Sequence, residues 1–282
     1  MTPRQGLVVL CALALAACGD PSPSGAADAG GGAFDAGEAS DAGSGDAGVA
    51  DAGAPDAGAP DAGGDAGVPD AGPQDAGLTS DGGFTIDGVV FVHGINGSKD
   101  DWAPMIARFA ADGWPANRLI ANTYADPRWG CNDDNAAQLQ GWVNQLRQAG
   151  AQHVAVVAHS MGGLSSRYYL KSLMGTAQVE VFVTLGTMHH GLSTPCLSPL
   201  PVCVWQQLCE SGPFIADLNA APATPGPTRW TSLFSDGDDT VPQQSSQLMG
   251  ADNILVPGLE HDGPNGLQAS SVVYQHVLDA LR

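Results

Sequence analysis

From residue 84 to the end of the chain, short unbroken apolar runs alternate with stretches of helical periodicity. Val89-Val90-Phe91-Val92 and Val154 to Ala158 are runs of this kind. A strand covered on both faces reads this way, because helices shield each side of a parallel sheet. Leu119 to Tyr124, Val179 to Leu185, Trp230 to Phe234 and Ile254 to Val256 read as further strands. Between them, Trp102, Met105, Ile106 and Phe109 are spaced for one face of a helix, with Asp100 or Asp101 available as its cap. Asn132 to Gln148 is a second helix, with Leu139, Trp142, Val143 and Leu146 inward and Gly150 as its stop. Gly162 to Met174 and Ser271 to Leu281 complete the set. The order specifies an α/β fold, a mostly parallel sheet with helices on both faces.

Only part of the chain can join that fold. Residues 19–83 are almost entirely Asp, Ala, Gly, Pro and Ser, with ten Asp-Ala-Gly triplets spaced irregularly between residues 28 and 77. Such a tract has little to bury and many like charges, so ordering it is not repaid. It lacks the strict nonapeptide period of calcium-binding Gly/Asp repeats. It reads as a flexible linker, and at 5–6 Å × √n its 65 residues give an r.m.s. span of roughly 45 Å. The tract carries −13 of the chain's formal −20, against −8 for residues 84–282. No basic patch exists to neutralise phosphates, which excludes nucleic acid as a partner. The remaining 199 residues suffice for one domain burying roughly 70% of its unfolded surface.

Residues 1–18 read as an export signal: Arg4 precedes an apolar run from Leu7 to Ala17 that is too short to span a bilayer. The run closes on Leu15-Ala16-Ala17-Cys18, which resembles the bacterial lipobox. That resemblance implies cleavage before Cys18, lipidation of its thiol and anchoring of an exported protein to a membrane. Gly19 in the next position implies the outer membrane or cell surface, or the periplasm behind it. With Cys11 in the leader and Cys18 lipidated, Cys131, Cys196, Cys203 and Cys209 remain. An even number in an exported domain points to two disulfides, with three connectivities open. The spacings lack the CxxC pair of a zinc site.

Between residues 191 and 228 the alternation breaks. The segment holds three of the four cysteines, many prolines, and apolar residues such as Leu200, Val202, Val204, Trp205, Phe214 and Ile215. A long irregular segment inside a compact domain is usually functional. It reads as a short cap beside an active site, pinned by at least one disulfide.

The chemistry concentrates where the strand ending at Ala158 meets the helix starting near Gly162. Hydrolysis by a serine needs a hydroxyl exposed on a strained turn, a base for its proton, and donors awaiting the oxyanion. Ala158-His159-Ser160-Met161-Gly162 places Ser160 in that strand–turn–helix context, with Ala158 where Gly is more common. Ala158 to Gly163 closely resembles small bacterial lipases of the Bacillus lipase A type, which belong to the α/β-hydrolase superfamily and in which that Ala is typical. Phe91-Val92-His93-Gly94-Ile95-Asn96-Gly97 resembles the same family's His-Gly oxyanion loop. The resemblance assigns the oxyanion donors to the backbone N–H groups of Ile95 and Met161. Thr184 to Gly191 is also similar to a lipase motif, with Met188 where Pro is more usual. The likeness covers about residues 89–282 and is weakest across the cap.

The remaining members should follow in the order acid, then His. Within Asp236-Gly237-Asp238-Asp239-Thr240-Val241, alignment on the family's Asp-x-x-Val selects Asp238, with Asp239 and then Asp236 as rivals. The clustered carboxylates also suit a hard cation such as calcium, without further support. His261, on the loop after a late strand, is where the base belongs. His93 and His159 are expected to order the active-site loops, and His189 and His190 to structure theirs. The expected activity is hydrolysis of carboxylic esters of lipids, most naturally triacylglycerols, through an acyl-enzyme on Ser160, without cofactor or metal and as a monomer. A phospholipase or acyltransferase of the same fold is an alternative, since the Asp236–Val241 run is also similar to lecithin–cholesterol acyltransferase-type enzymes. A surface-binding protein on an inactive hydrolase scaffold is another.

Overall fold

A computed structural model describes Leu78–Thr79 and residues 85–282. The export signal, Cys18 and nearly all of the Asp-Ala-Gly tract lie outside the described residues. The central sheet has six strands: β1 (Gly88–Val92), β2 (Leu119–Ala121), β3 (Val154–His159), β4 (Val181–Leu185), β5 (Arg229–Phe234) and β6 (Asp252–Leu255). Their spatial order is β2-β1-β3-β4-β5-β6, and every pairing is parallel. The long helices are α1 (Ala103–Ala111), α2 (Asn132–Gln148), α3 (Met161–Ser172) and α6 (Ser271–Leu281), with the shorter α4 (Cys203–Leu208) and α5 (Pro213–Asn219) between β4 and β5.

The two-residue period of the strands sorts their side chains between two cores. Val89 and Phe91 join Val157, Val183 and Leu233 against Trp102, Met105 and Phe109 near α1 and Val273, Val277 and Leu281 of α6. Val90 and Val92 join Val156 and Phe182 on the opposite face, against Leu139, Val143 and Leu146 of α2 and Tyr169 and Leu170 of α3. Phe109 is the hub of the first core, with ring centroids 5.6 Å from Phe91, 5.2 Å from Trp114 and 5.0 Å from Tyr274.

This topology fixes where a site can form. From β1 the chain runs to α1 on one face, and from the adjacent β3 it runs to α3 on the other. The loops after β1 and β3 therefore part at the carboxyl ends of neighbouring strands, leaving a crevice between them. His93–Gly97 and Ser160 sit at its mouth.

Most elements fall where the periodicity puts them, and α2 and α6 have the expected ends. The helical segment after β1 differs. It opens with a 3₁₀ turn, Lys99–Trp102, capped by Ser98 and not by Asp100 or Asp101. Asp101 instead accepts the Ser98 N–H at 2.8 Å, the reciprocal half of a capping box. β2 stops at Ala121, three residues short of Tyr124, as the chain turns inward so that the Tyr124 N–H donates to His93 Nε2 at 3.0 Å.

The cap expected at 191–228 is built from α4, α5 and the four-residue helix Ser193–Cys196. Two disulfides staple it: Cys196–Cys209 closes the cap on itself, and Cys131–Cys203 ties α4 to the start of α2. On α3, Arg167 and Lys171 are one turn apart and donate to the carbonyl of Leu218, at 2.8 and 3.1 Å. Two cations at the carboxyl end of α5 satisfy carbonyls that no longer have helical partners.

Candidate active site

Ser160 is the single residue between β3 and α3, with φ 54° and ψ −131°. A side-chain-bearing residue is rarely found there, and the strain persists only where the surroundings impose it. They do so by crowding. A Cβ added to Gly162 would lie 2.4 Å from the His93 carbonyl oxygen, and one on Gly163 would lie 2.1 Å from Thr187 Oγ1. The two glycines let α3 start hard against the neighbouring loops, and the turn lifts the Ser160 hydroxyl to the sheet's edge.

His261 Nε2 lies 2.9 Å from Ser160 Oγ, and His261 Nδ1 lies 2.8 Å from Asp238 Oδ2. With Nδ1–H donating to the carboxylate, Nε2 carries the lone pair that accepts the serine proton. The other Asp238 oxygen accepts the N–H of Thr240 at 2.9 Å and of Val241 at 2.8 Å. Burial alone would raise the Asp238 carboxyl, but these hydrogen bonds and the His261 ring hold it below its ordinary value. Its side chain is 1% exposed. The rival carboxylates face water and serve the turn: Asp236 accepts the Gly258 N–H at 2.7 Å, and Asp239 accepts the Thr240 hydroxyl at 3.3 Å.

Ile95 and Met161 flank the serine as the sequence places them, after the Gly94 turn and at the first position of α3. Neither backbone N–H donates to a protein acceptor among the described residues, so both are free for an incoming oxygen. A cleft of about 690 Å³ opens over Ser160 and His261 and is lined by Gly94, Ile95, Met188, Leu192, Trp205 and Leu208, among others. The last three belong to the cap segment.

Three other histidines, His93, His159 and His189, hold structure. His159 donates from Nε2 to the His261 carbonyl at 2.9 Å, its ring 4.6 Å from the His261 ring. Burial pushes it down to about 3, so it is neutral near neutral pH. His93 donates to the Gly94 carbonyl at 2.7 Å, and burial lowers it too. His189 is fully buried, beside Thr184 Oγ1 at 3.1 Å, and burial holds it well below its ordinary value. His190 faces solvent. Among the described residues the one cluster of metal-ligand types is Cys131, Asp133 and Cys203, whose two sulfurs are spent in a disulfide.

Gly186 was not foreseen as a site residue. It has φ +57°, and a Cβ there would stand 3.0 Å from Asp238 Oδ2 and 3.3 Å from His261 Nδ1. Its sequence signals are its place just after the apolar run of β4 and its position inside Thr184–Gly191, the stretch that resembles a lipase motif.

A parallel sheet with helices on both faces, carrying a serine on a strained strand–helix turn beside a buried His–Asp pair, defines the class: a hydrolase of the α/β-hydrolase fold. Residues 87–273 match the family described as lipase (class 2), and the chain belongs to that family. Among solved structures it is similar to the mature lipase BlEst2 of Bacillus licheniformis, with 20% identity and a TM-score of 0.57 over 68% of this chain and 92% of that one. It is also similar to the phospholipase PlaB of Legionella pneumophila, with 16% identity and a TM-score of 0.58 over 69% of this chain. The chain spans about 58% of that phospholipase's length. Lipase B of Aspergillus fumigatus matches with 17% identity and a TM-score of 0.56 over 70% of this chain and 52% of its own. At such identities the likeness is one of fold.

Proposed function

We propose that this chain is a serine carboxylic-ester hydrolase acting on acylglycerols, with Ser160, His261 and Asp238 as its catalytic residues. The observation that carries the reading is the continuous line from Ser160 Oγ through His261 to Asp238, at 2.9 and 2.8 Å, at the floor of a cleft with a largely apolar cap-side wall. His261 takes the hydroxyl proton as Ser160 attacks the ester carbonyl, and Asp238 holds the imidazole in the required tautomer. The Ile95 and Met161 amides receive the developing oxyanion. His261 then passes the proton to the leaving alcohol, and water activated by the same ring releases the fatty acid. A fluorophosphonate probe tests this: labelling should map to Ser160 and vanish in Ser160→Ala. Folded wild-type protein that stays unlabelled would favour the binding-scaffold alternative. A phospholipase or acyltransferase is the second reading, favoured by the Asp236–Val241 run, and assays of headgroup preference and of transfer to an added alcohol separate it.

The same proposal includes export and anchoring through a lipidated Cys18, supported by Leu15-Ala16-Ala17-Cys18. More than one acyl chain on that residue would anchor the protein firmly.

A further inference from the structure

Arg167 lies about two turns along α3 from Ser160 and is 1% exposed, yet no carboxylate pairs with it among the described residues. Burial pushes it down to about 10, so it stays a cation near neutral pH. Burying a cation without a counter-ion is costly unless hydrogen bonds offset the loss of water. Arg167 finds them in two directions. Nη2 donates to the carbonyls of Leu218 and Ala223 at 2.8 and 3.4 Å and to Asn219 Oδ1 at 3.1 Å, at or just beyond the end of α5. Nη1 donates to the His189 carbonyl at 3.3 Å, in the loop after β4. Asn219 closes the triangle, its Nδ2 donating to the same His189 carbonyl at 2.9 Å.

The end of α5 does not need Arg167 for its charge. Lys171, one turn further along α3, already donates to the carbonyls of Leu218, Ala220 and Pro222. What Arg167 adds is the tie to His189. The residue before it, Met188, lines the cleft over Ser160 and packs in one apolar cluster with Leu208 of α4 and with Ile215 and Leu218 of α5. A planar guanidinium with its two prongs on different elements fixes the spacing between them. Those elements are the loop that carries Met188 and the helix that backs it, and the side chain that spans them stands on the helix that begins beside Ser160. We propose that Arg167 is a positioning residue: it holds the Met188 side of the cleft against the cap and so governs how tightly an acyl chain is bound, not how fast the bound ester reacts. This rests on the ester-hydrolase reading of Ser160 and deepens it.

Two soluble esters test the proposal, p-nitrophenyl acetate and p-nitrophenyl hexanoate, because the acetyl group is too short to use that wall and the hexanoyl chain is not. In the full-length protein, Arg167→Met should raise KM for the hexanoate roughly tenfold, as expected when one or two methylenes lose a close apolar contact at about fourfold each. KM for the acetate, and kcat on both esters, should stay within about twofold of wild type. Arg167→Lys keeps a charge at the end of α5 but cannot serve both partners, so it should fold and still raise KM for the hexanoate. Asn219→Ala, which removes the second tie to His189, should shift KM in the same direction. Lys171→Met should lower Tm and leave both KM values unchanged. Fluorophosphonate titration of Ser160 corrects kcat for any unfolded fraction. Should Arg167→Met fail to fold, Arg167→Lys and Asn219→Ala decide. A hexanoate KM unchanged in folded Arg167→Lys, a rise equal for the two esters, or a rise as large in Lys171→Met overturns the proposal and leaves the hydrolase reading intact. Wild-type protein that cleaves neither ester and is not labelled at Ser160 overturns the hydrolase reading itself.

Discussion

Acidification should unfold this domain, and His159 supplies a magnitude. Its ring is buried, and burial, with the nearby His261, pushes it from 6.5 down to about 3. The folded state therefore holds it neutral across a range in which the unfolded chain binds a proton. Stability from this group is complete above about pH 6.5 and is lost as pH falls from there toward 3. Between pH 7.5 and 5 the unfolded imidazole gains about 1.5 pK units of protonation free energy that the folded one does not, or about 2 kcal/mol. His93 and His189 are lowered as well and act with the same sign. Asp238 is lowered from 3.8, so its contribution is lost only at more acidic pH. Urea unfolding of the wild type and of His159→Asn at pH 7.5 and 5 isolates the term, because Asn keeps an amide donor without a titrating group. The wild type should lose about 2 kcal/mol more than the variant, or some 4–8 °C in Tm for a domain of this size. Equal losses in the two proteins would refute the reasoning.

Asp238→Asn should lower kcat by about 10⁴-fold through loss of the His261 tautomer, whereas Asp239→Asn should stay within a few-fold of wild type. Both are read on p-nitrophenyl butyrate. Gly186→Ala should cost activity beyond its effect on stability, since the added methyl lies 3.0 Å from Asp238 Oδ2; comparing kcat with Tm separates the two. The disulfides should differ in weight, because Cys131–Cys203 spans 72 positions and Cys196–Cys209 spans 13. Chain-entropy estimates are about 4.5 and about 3 kcal/mol, so replacing the first pair by Ala should lower Tm more. Under the proposed anchoring, Cys18→Ala should release the protein from membranes and abolish incorporation of labelled palmitate, as fractionation and autoradiography would show.

What could be read from the chain was whatever depends on neighbours in sequence. Val154 to Ala158 announces a strand buried on both faces because its run has no polar break, and the turn after it announces Ser160 because only small residues permit the approach of Gly162 and Gly163 to His93 and Thr187. The order Ser, Asp, His needed only the chain's direction. The features that escaped depend on contacts closed by the fold. Ser98 wins the cap over Asp100 because the loop after β1 turns Asp101 back onto the Ser98 N–H. The pairing of Cys131 with Cys203 follows from α4 lying against the start of α2, where Gln207 also donates to Asp133 at 2.8 Å. His159 orders an active-site loop, as its place in the sequence suggests, but its hydrogen-bond partner there, the carbonyl of His261, 102 positions away, is chosen by the fold. That bond bears directly on Ser160. The neighbour of the proposed nucleophile holds the loop that carries His261, so the strained turn and the position of the proposed base are set by one short stretch of β3. A substitution at His159 that keeps the fold should then move the ring of His261 before it moves anything else, and kcat should respond more than KM.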